Sequence, residues 1–304
     1  MFYFALIASF LIALVYIRFL RQMDVFEPEQ WRYTWICFLL GVFSVAGIFS
    51  VYYFFPQIMA RPQDGNFAIR FQFHFFSVAS LEELAKISPF LLLLMSKRVI
   101  NESFDYIKYA SLGAMGFAAL ENVLYFSRNL HIIEGRAFYT AVMHMFTSSL
   151  IAYCMYAFKK RFNIPGFVVF CFAYPIAAGF HGLFNALISS GQTYLLGIGL
   201  VLCMLIAWGR MMNNTLNHSE FFHSEPVQNK ITMAGIQLLI GWGLVFLFAA
   251  FAIGILEGWS QSFVFLREGF VFGFISGAGL YLALARPRIR QGKWFPLIGR
   301  LKKE

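Results

Sequence analysis

Apolar stretches about as long as a bilayer is thick follow one another almost without pause through this sequence. A helix that crosses a membrane needs roughly 20 apolar residues. Nine segments qualify, near 2–20, 33–55, 71–95, 106–126, 138–158, 166–189, 193–212, 231–256 and 262–285. With no water in the hydrocarbon to satisfy backbone N–H and C=O groups, such segments must be helical. Composition closes off the soluble alternative. Of 304 residues 60% are hydrophobic, 39 are phenylalanine and only 13% are charged, more apolar surface than a water-soluble domain of this length can hide. The expected fold is all-α, a polytopic transmembrane helix bundle of nine spans.

The basic residues orient it. No basic residue precedes the first apolar run, and Arg18 and Arg21 follow it. That order predicts a retained anchor with the N-terminus outside. Eighteen of the 24 Lys and Arg then fall on the cytoplasmic side. They are Arg18, Arg21, Arg32, Lys97, Arg98, Lys108, Lys159, Lys160, Arg161, Arg210 and Lys230, with Arg286, Arg288, Arg290, Lys293, Arg300, Lys302 and Lys303 in the tail. Five (Arg61, Arg70, Arg128, Arg136, Arg267) face outward. The net charge of +9 therefore reports topology and contact with anionic lipid, and no nucleic-acid motif accompanies it. Cys37, Cys154, Cys171 and Cys203 all fall within spans without a C-x-x-C pair and read as packing residues. His218 and His223 lie in the longest hydrophilic stretch, about 210–230, which reads as a solvated loop. The organisation expected is a two-span region over 1–70, a four-helix core over 71–190, and a three-span region with a basic cytoplasmic tail over 191–304.

Polar residues inside the spans are few and grouped. Glu82, Glu83 and Lys86 interrupt the third span in SLEELAKISPF, Glu121 the fourth, His144 the fifth, and His181 and Asn185 the sixth. At roughly 1.5 Å of rise per residue, Glu82 lies about 17 Å down from the outer face, near the midplane. On the same rise, Glu121 and His181 lie about 22 Å up from the inner face and His144 about 9 Å below the outer one. Three residues on three helices thus share one level, in the outer half, with the glutamates of the third span slightly beneath. Taken singly, Glu–Lys reads as a neutralised structural pair, His144 as a satisfied polar residue, His74 as interfacial lining and Asn185 as interhelical glue. Together they read as a site, because intramembrane ionisable groups are costly. Lys86 is four residues from Glu82 and three from Glu83, so either carboxylate can pair with it. Adjacent residues point about 100° apart, so one glutamate is expected to face the cavity while Lys86 holds the other. Pro89 frees the carbonyl of Ala85, Pro175 kinks the sixth span, and Gly113, Ala114, Gly116, Ala118 and Ala119 give the fourth a surface for close helix contact. Buried Glu, His and Lys also suit a proton-coupled transporter or channel, or a non-catalytic scaffold.

The pattern E82-E83-x-x-K86, F117-x-x-x-E121-N122, His144 and H181-x-x-x-N185 resembles the PrsW family of intramembrane proteases, in the clan of CAAX prenyl endopeptidases and bacteriocin-processing proteases. The resemblance covers roughly residues 71–190. It departs from the CAAX enzymes, which carry E-E-x-x-x-R and F-x-x-x-H where this chain has Lys86 and Glu121. It implies hydrolysis of a peptide bond in a single-span membrane protein such as an anti-sigma factor, near the extracytoplasmic face of the plasma (inner) membrane. It also implies Glu121, His144 and His181 as a ligand set for Zn²⁺, Glu82 as general base, Glu83 steadied by Lys86, and Asn185 orienting His181 or donating to the oxyanion. A metal-free division of acid and base roles between Glu82 and Glu121 fits the same residues. Membrane lipid and a membrane-protein substrate are the expected partners.

Overall fold

The computed structural model describes residues 1–60, 66–189, 191–223, 227–284 and 289–297. Among them the chain is helical and without strands. The order is α1 (Phe2–Met23), α2 (Trp31–Phe54), α3 (Phe67–Phe73), a π-helical turn (His74–Ala79), α4 (Ser80–Leu94), α5 (Ser103–Phe126) and the short α6 (Ile133–Gly135). A second π-helical turn (Arg136–Thr140) leads into α7 (Ala141–Phe162), then α8 (Gly166–Ile188), α9 (Tyr194–Asn217), α10 (Gln228–Glu257) and α11 (Trp259–Leu284). Six of these stretches are long and apolar enough to cross a membrane: Phe2–Met23, Trp31–Phe54, Leu130–Phe162, Gly166–Ile188, Gly191–Asn217 and Gln228–Glu257. The other three expected spans coincide with α3–α4, α5 and α11, helices that contain ionisable side chains.

Local chemistry sets the boundaries. Asn66 caps α3 by accepting from the Ile69 N–H at 3.1 Å, and Glu102 and Asp105 close a reciprocal capping box on α5. At the end of α7, Asn163 takes the left-handed conformation with φ 55°, which asparagine tolerates better than most residues. Pro89 lies inside α4, and the carbonyl of Ala85 that it leaves without an amide partner accepts the Ser88 hydroxyl at 2.8 Å.

α5 is the hub, packing against α1, α2, α4 and α7. The small residues expected at its surface are what let its neighbours approach. A Cβ on Gly116 would lie 2.0 Å from the Phe38 carbonyl oxygen of α2, and one on Gly113 would lie 2.9 Å from the Lys86 carbonyl oxygen of α4. α1 packs on α5 as well, and its Tyr16 hydroxyl donates to the Ala137 carbonyl, in the π-helical turn before α7, at 2.9 Å. One apolar core runs from Ala5 in α1 to Phe265 in α11.

Two sequence expectations change here. Lys108, expected in a cytoplasmic loop, is fully buried in α5 and donates to Asp24 at 2.6 Å. The start of the supposed solvated loop at 210–230 is helix instead, with Met211–Asn217 buried. Its asparagines hold the returning chain. Asn214 accepts from the Phe295 N–H at 2.8 Å and donates to the Phe295 carbonyl at 2.9 Å, while Asn217 accepts from the Arg290 N–H at 2.7 Å. His218 meets the Asn214 carbonyl through Nδ1 at 2.9 Å and packs on Trp294. These polar residues look solvated in a sequence because their partner is backbone 73 to 81 positions away. Arg61, Arg286, Arg288, Arg300, Lys302 and Lys303, part of the charge-based topology, lie outside the described residues.

Candidate functional site

The third-span residues lie on the inward face of α4. Lys86 is fully buried, with its ammonium 3.1 Å from Glu82 Oε2 and 3.1 Å from Glu83 Oε1. It holds both glutamates rather than one. They still differ, as their angular separation on the helix requires: Glu82 lines the cavity, whereas Glu83 is fully buried and its Oε1 is 2.7 Å from His181 Nδ1. A carboxylate accepts, so His181 carries its proton on Nδ1 and donates it to Glu83. Lys86 Nζ approaches the same nitrogen at 3.3 Å without bonding to it, since both are then donors. His181 Nε2 is left bare, facing Glu82 Oε2 at 3.7 Å, beyond hydrogen-bond length.

A second histidine is arranged in the same way. His144 of α7 meets Glu121 Oε2 of α5 through Nε2 at 3.1 Å, and its buried Nδ1 has no hydrogen-bond partner. The two imidazoles stand edge to face, with centroids 5.3 Å apart. Each histidine thus has one nitrogen engaged by a carboxylate and one without a donor or acceptor. Glu121 is also engaged by Arg136, whose guanidinium donates to Glu121 Oε2 at 2.7 Å and to Asn122 Oδ1 at 2.8 Å and lies over Tyr125.

The groups open onto a cavity of about 510 Å³ lined by Glu82, Glu121, Arg136, His144, His181, Asn185 and His74, with apolar walls from α2, α5 and α8. Asn185 sits one helical turn beyond His181 on this wall. Of the seven residues expected at a site, Glu82, Glu121, His144, His181 and Asn185 line the cavity, and Lys86 and Glu83 back them from the protein interior.

The residues present suit a metal ion. One ligand atom from each of Glu82, His144 and His181 lies within 4.8 Å of the other two, a two-nitrogen, one-oxygen set with the softness that zinc and related ions take. The bare ring nitrogens are lone pairs with nothing to accept. Three carboxylates, Glu82, Glu83 and Glu121, stand against the two cations Lys86 and Arg136, so the cluster has room for further positive charge. Glu121, expected from the sequence as the carboxylate ligand, is turned toward Arg136 and His144, and Glu82 takes its position in the converging trio.

Arg136 was counted among the outward loop charges. In an unbroken helix, residues eight apart are about 80° out of register. The π-helical turn at Arg136–Thr140 inserts one extra residue, so the offset behaves as seven residues and falls to about 20°. Arg136 thereby shares the face of His144. Nothing in the local sequence announces that wide turn.

A family model described as "PrsW family intramembrane metalloprotease" matches residues 29–211. The chain belongs to the PrsW family. A protein named Protease PrsW from Oceanobacillus iheyensis is 28% identical over 178 residues, covering 57% of this chain and 79% of its own length. No solved structure matches. The PrsW match takes in α2 to α8, α9 as far as Met211, and every residue of the cluster, and it leaves α1, α10 and α11 outside. Between the peptide hydrolase and the proton-coupled carrier, membership of the PrsW family decides for the hydrolase. The six apolar helices agree with a membrane protein.

Proposed function

We propose that this PrsW-family protein is a metal-dependent endopeptidase of the plasma (inner) membrane. It would cut single-span membrane proteins, anti-sigma-factor-like chains among them, near their extracytoplasmic boundary. The observation that carries the metal-dependent reading is the pairing of each histidine with its own carboxylate, His181 with Glu83 and His144 with Glu121, which leaves the other ring nitrogen of each without a hydrogen bond in a trio completed by Glu82. Carboxylate–histidine pairs of this kind fix the tautomer and orientation of metal-bound imidazoles. Glu82, His144 and His181 would hold the ion, with Zn²⁺ the fitting choice. When bound, such an ion supplies Lewis-acid polarisation and lowers the pKa of an attached water.

The remaining chemistry falls to the protein. Glu121 lines the cavity and is the carboxylate free of the ligand trio, so it takes the proton from the attacking water and returns it to the leaving amine. Relative to the sequence expectation, Glu82 and Glu121 exchange roles. Arg136 and Asn185, both on the cavity wall, provide N–H groups for the oxyanion that develops on the scissile carbonyl. Lys86 offsets part of the charge of Glu82 and Glu83 and keeps the base of the cluster rigid. The apolar walls limit water to the small volume in which attack takes place.

Substrate geometry follows from the backbone. Carbonyls of a membrane helix are already hydrogen-bonded, so the helix must unwind before hydrolysis. Unwinding costs least at a span end, where water satisfies the freed groups. With the N-terminus outside, the cluster lies about 9–17 Å below the outer surface. Cleavage is therefore expected near that boundary, at segments containing Gly, Pro or small residues. The test is cleavage of a single-span protein by the purified chain in liposomes, with the products sized by mass spectrometry. A cut on the cytoplasmic side of the midplane, or undiminished cleavage by Glu82→Gln, would defeat the reading.

A further inference from the structure

A second group of carboxylates gathers at the opposite end of α5, where the turn between α1 and α2 meets the α5 N-terminus. One oxygen from each of Glu27, Glu29 and Asp105 lies within 4.8 Å of the others. Each residue has part of its hydrogen-bonding capacity assigned. Glu27 Oε1 accepts from the Asn101 amide at 3.0 Å, Glu29 Oε2 from the Gln30 N–H at 3.2 Å, and Asp105 Oδ2 from the N–H groups of Asn101 and Glu102 at 3.1 and 3.2 Å. What remains is Glu27 Oε2 and Asp105 Oδ1, two buried oxygens without a hydrogen-bond partner, and Asp105 is completely buried.

The neighbouring cations close this gap only in part, through a long ion pair from Lys108 to Asp105. Lys108 Nζ is drawn to Asp24 at 2.6 Å and reaches Asp105 Oδ1 only at 3.6 Å. Arg21 is turned to the Glu29 backbone carbonyl and the Thr34 hydroxyl. Asp24 and Glu102, both buried, each add a further carboxylate oxygen without a partner. Five carboxylates therefore share a largely buried region with two cations, and their orphaned oxygens are lone pairs calling for a positive partner.

We propose that Glu27, Glu29 and Asp105 bind a hard divalent cation of the Ca²⁺/Mg²⁺ class, at a site separate from the peptidase cluster and independent of its assignment. An all-oxygen donor set selects that class over zinc. Ca²⁺ bonds of about 2.3–2.6 Å let opposed oxygens stand about 4.6–5.2 Å apart, whereas Mg²⁺ bonds of about 2.0–2.1 Å require about 4.2 Å at most. The three oxygens lie within 4.8 Å of one another, a spacing within reach of both ions. The ion ties the α1–α2 turn to the first turn of α5, the helix whose far end holds Glu121.

The test is thermal unfolding of the full-length protein in detergent, first stripped of divalent ions and then titrated separately with CaCl₂ and MgCl₂. A saturable rise in Tm of several degrees with at least one ion is expected. It should persist in Glu82→Gln, which alters the peptidase cluster, and disappear in the double variant Glu27→Gln/Glu29→Gln. Should the double variant fail to fold, Glu27→Gln alone, at a partly exposed position, is expected to weaken the ion's apparent affinity at least tenfold. No rise with either ion, an equal rise in the double variant, or an unchanged affinity in Glu27→Gln would overturn the proposal.

Discussion

Near its C-terminal end α5 contributes Glu121 and Asn122 to a cluster that opens onto a cavity of about 510 Å³. Near its N-terminal end the same helix contributes Asp105 and Lys108 to a cluster packed between the α1–α2 turn and the start of the helix. Both contain an ammonium held by two carboxylates, Lys86 with Glu82 and Glu83 in one and Lys108 with Asp24 and Asp105 in the other. The first adds two histidines, each with a bare nitrogen, and a guanidinium on a cavity wall. The second adds further carboxylates and the Arg21 guanidinium. Buried charge alone thus does not mark catalysis in this bundle. Donor type and access to a cavity set the two apart, and the proposed peptidase site rests on them.

Substitutions can break that contrast or sharpen it. The largest effect is expected at Glu82. Glu82→Gln should reduce cleavage by about 10³-fold or more with the helical fold retained, because Lys86 keeps Glu83 as a partner; rates in liposomes and circular dichroism on the same preparation check this. At the other cluster, Lys108→Met leaves Asp24 and Asp105 buried without their cation and should cost about 3–5 kcal/mol of stability. Cleavage per folded molecule should stay unchanged. If that specific activity collapses, the clusters are coupled and the contrast fails. Glu83→Gln removes the charge that orients His181, for which a loss of roughly 10–100-fold in metal affinity is expected, read by competition with a chelator. The smallest disturbance should come from cysteines at Asn101 and Glu134, which are expected to label from opposite sides of the membrane, Glu134 from outside. Labelling from one side would remove the orientation on which the cleavage position depends.

Much of the first cluster was readable before any coordinates. Rise along a helix converts residue number into depth, and depth alone brought Glu121, His144 and His181 to one level just above Glu82. Rotation about a helix axis is not read so simply, because small irregularities accumulate. That is why the sequence favoured Glu121 as the ligand where the side chains bring Glu82 to the histidines, and why Arg136, re-aimed by a π-helical turn, passed as a loop charge. The second cluster was missed for another reason. Lys108 lies at a predicted span end, where the positive-inside rule supplies a ready explanation for any lysine, and its partner Asp24 is 84 residues away. Gly113 and Gly116 were legible as a contact surface, since small residues repeated in an apolar helix have few other uses.

Transition-metal content per chain, measured on detergent-purified wild type, Glu82→Gln and Glu121→Gln, tests the account most directly. The prediction is about one equivalent in the wild type, loss in Glu82→Gln, and in Glu121→Gln retention at saturating metal, with affinity lowered about 10–100-fold as in Glu83→Gln and cleavage nonetheless abolished. Retention in Glu82→Gln with loss in Glu121→Gln would contradict the assignment of the ligand trio, and a wild-type protein that cleaves its substrate with no bound metal would contradict the mechanism as a whole.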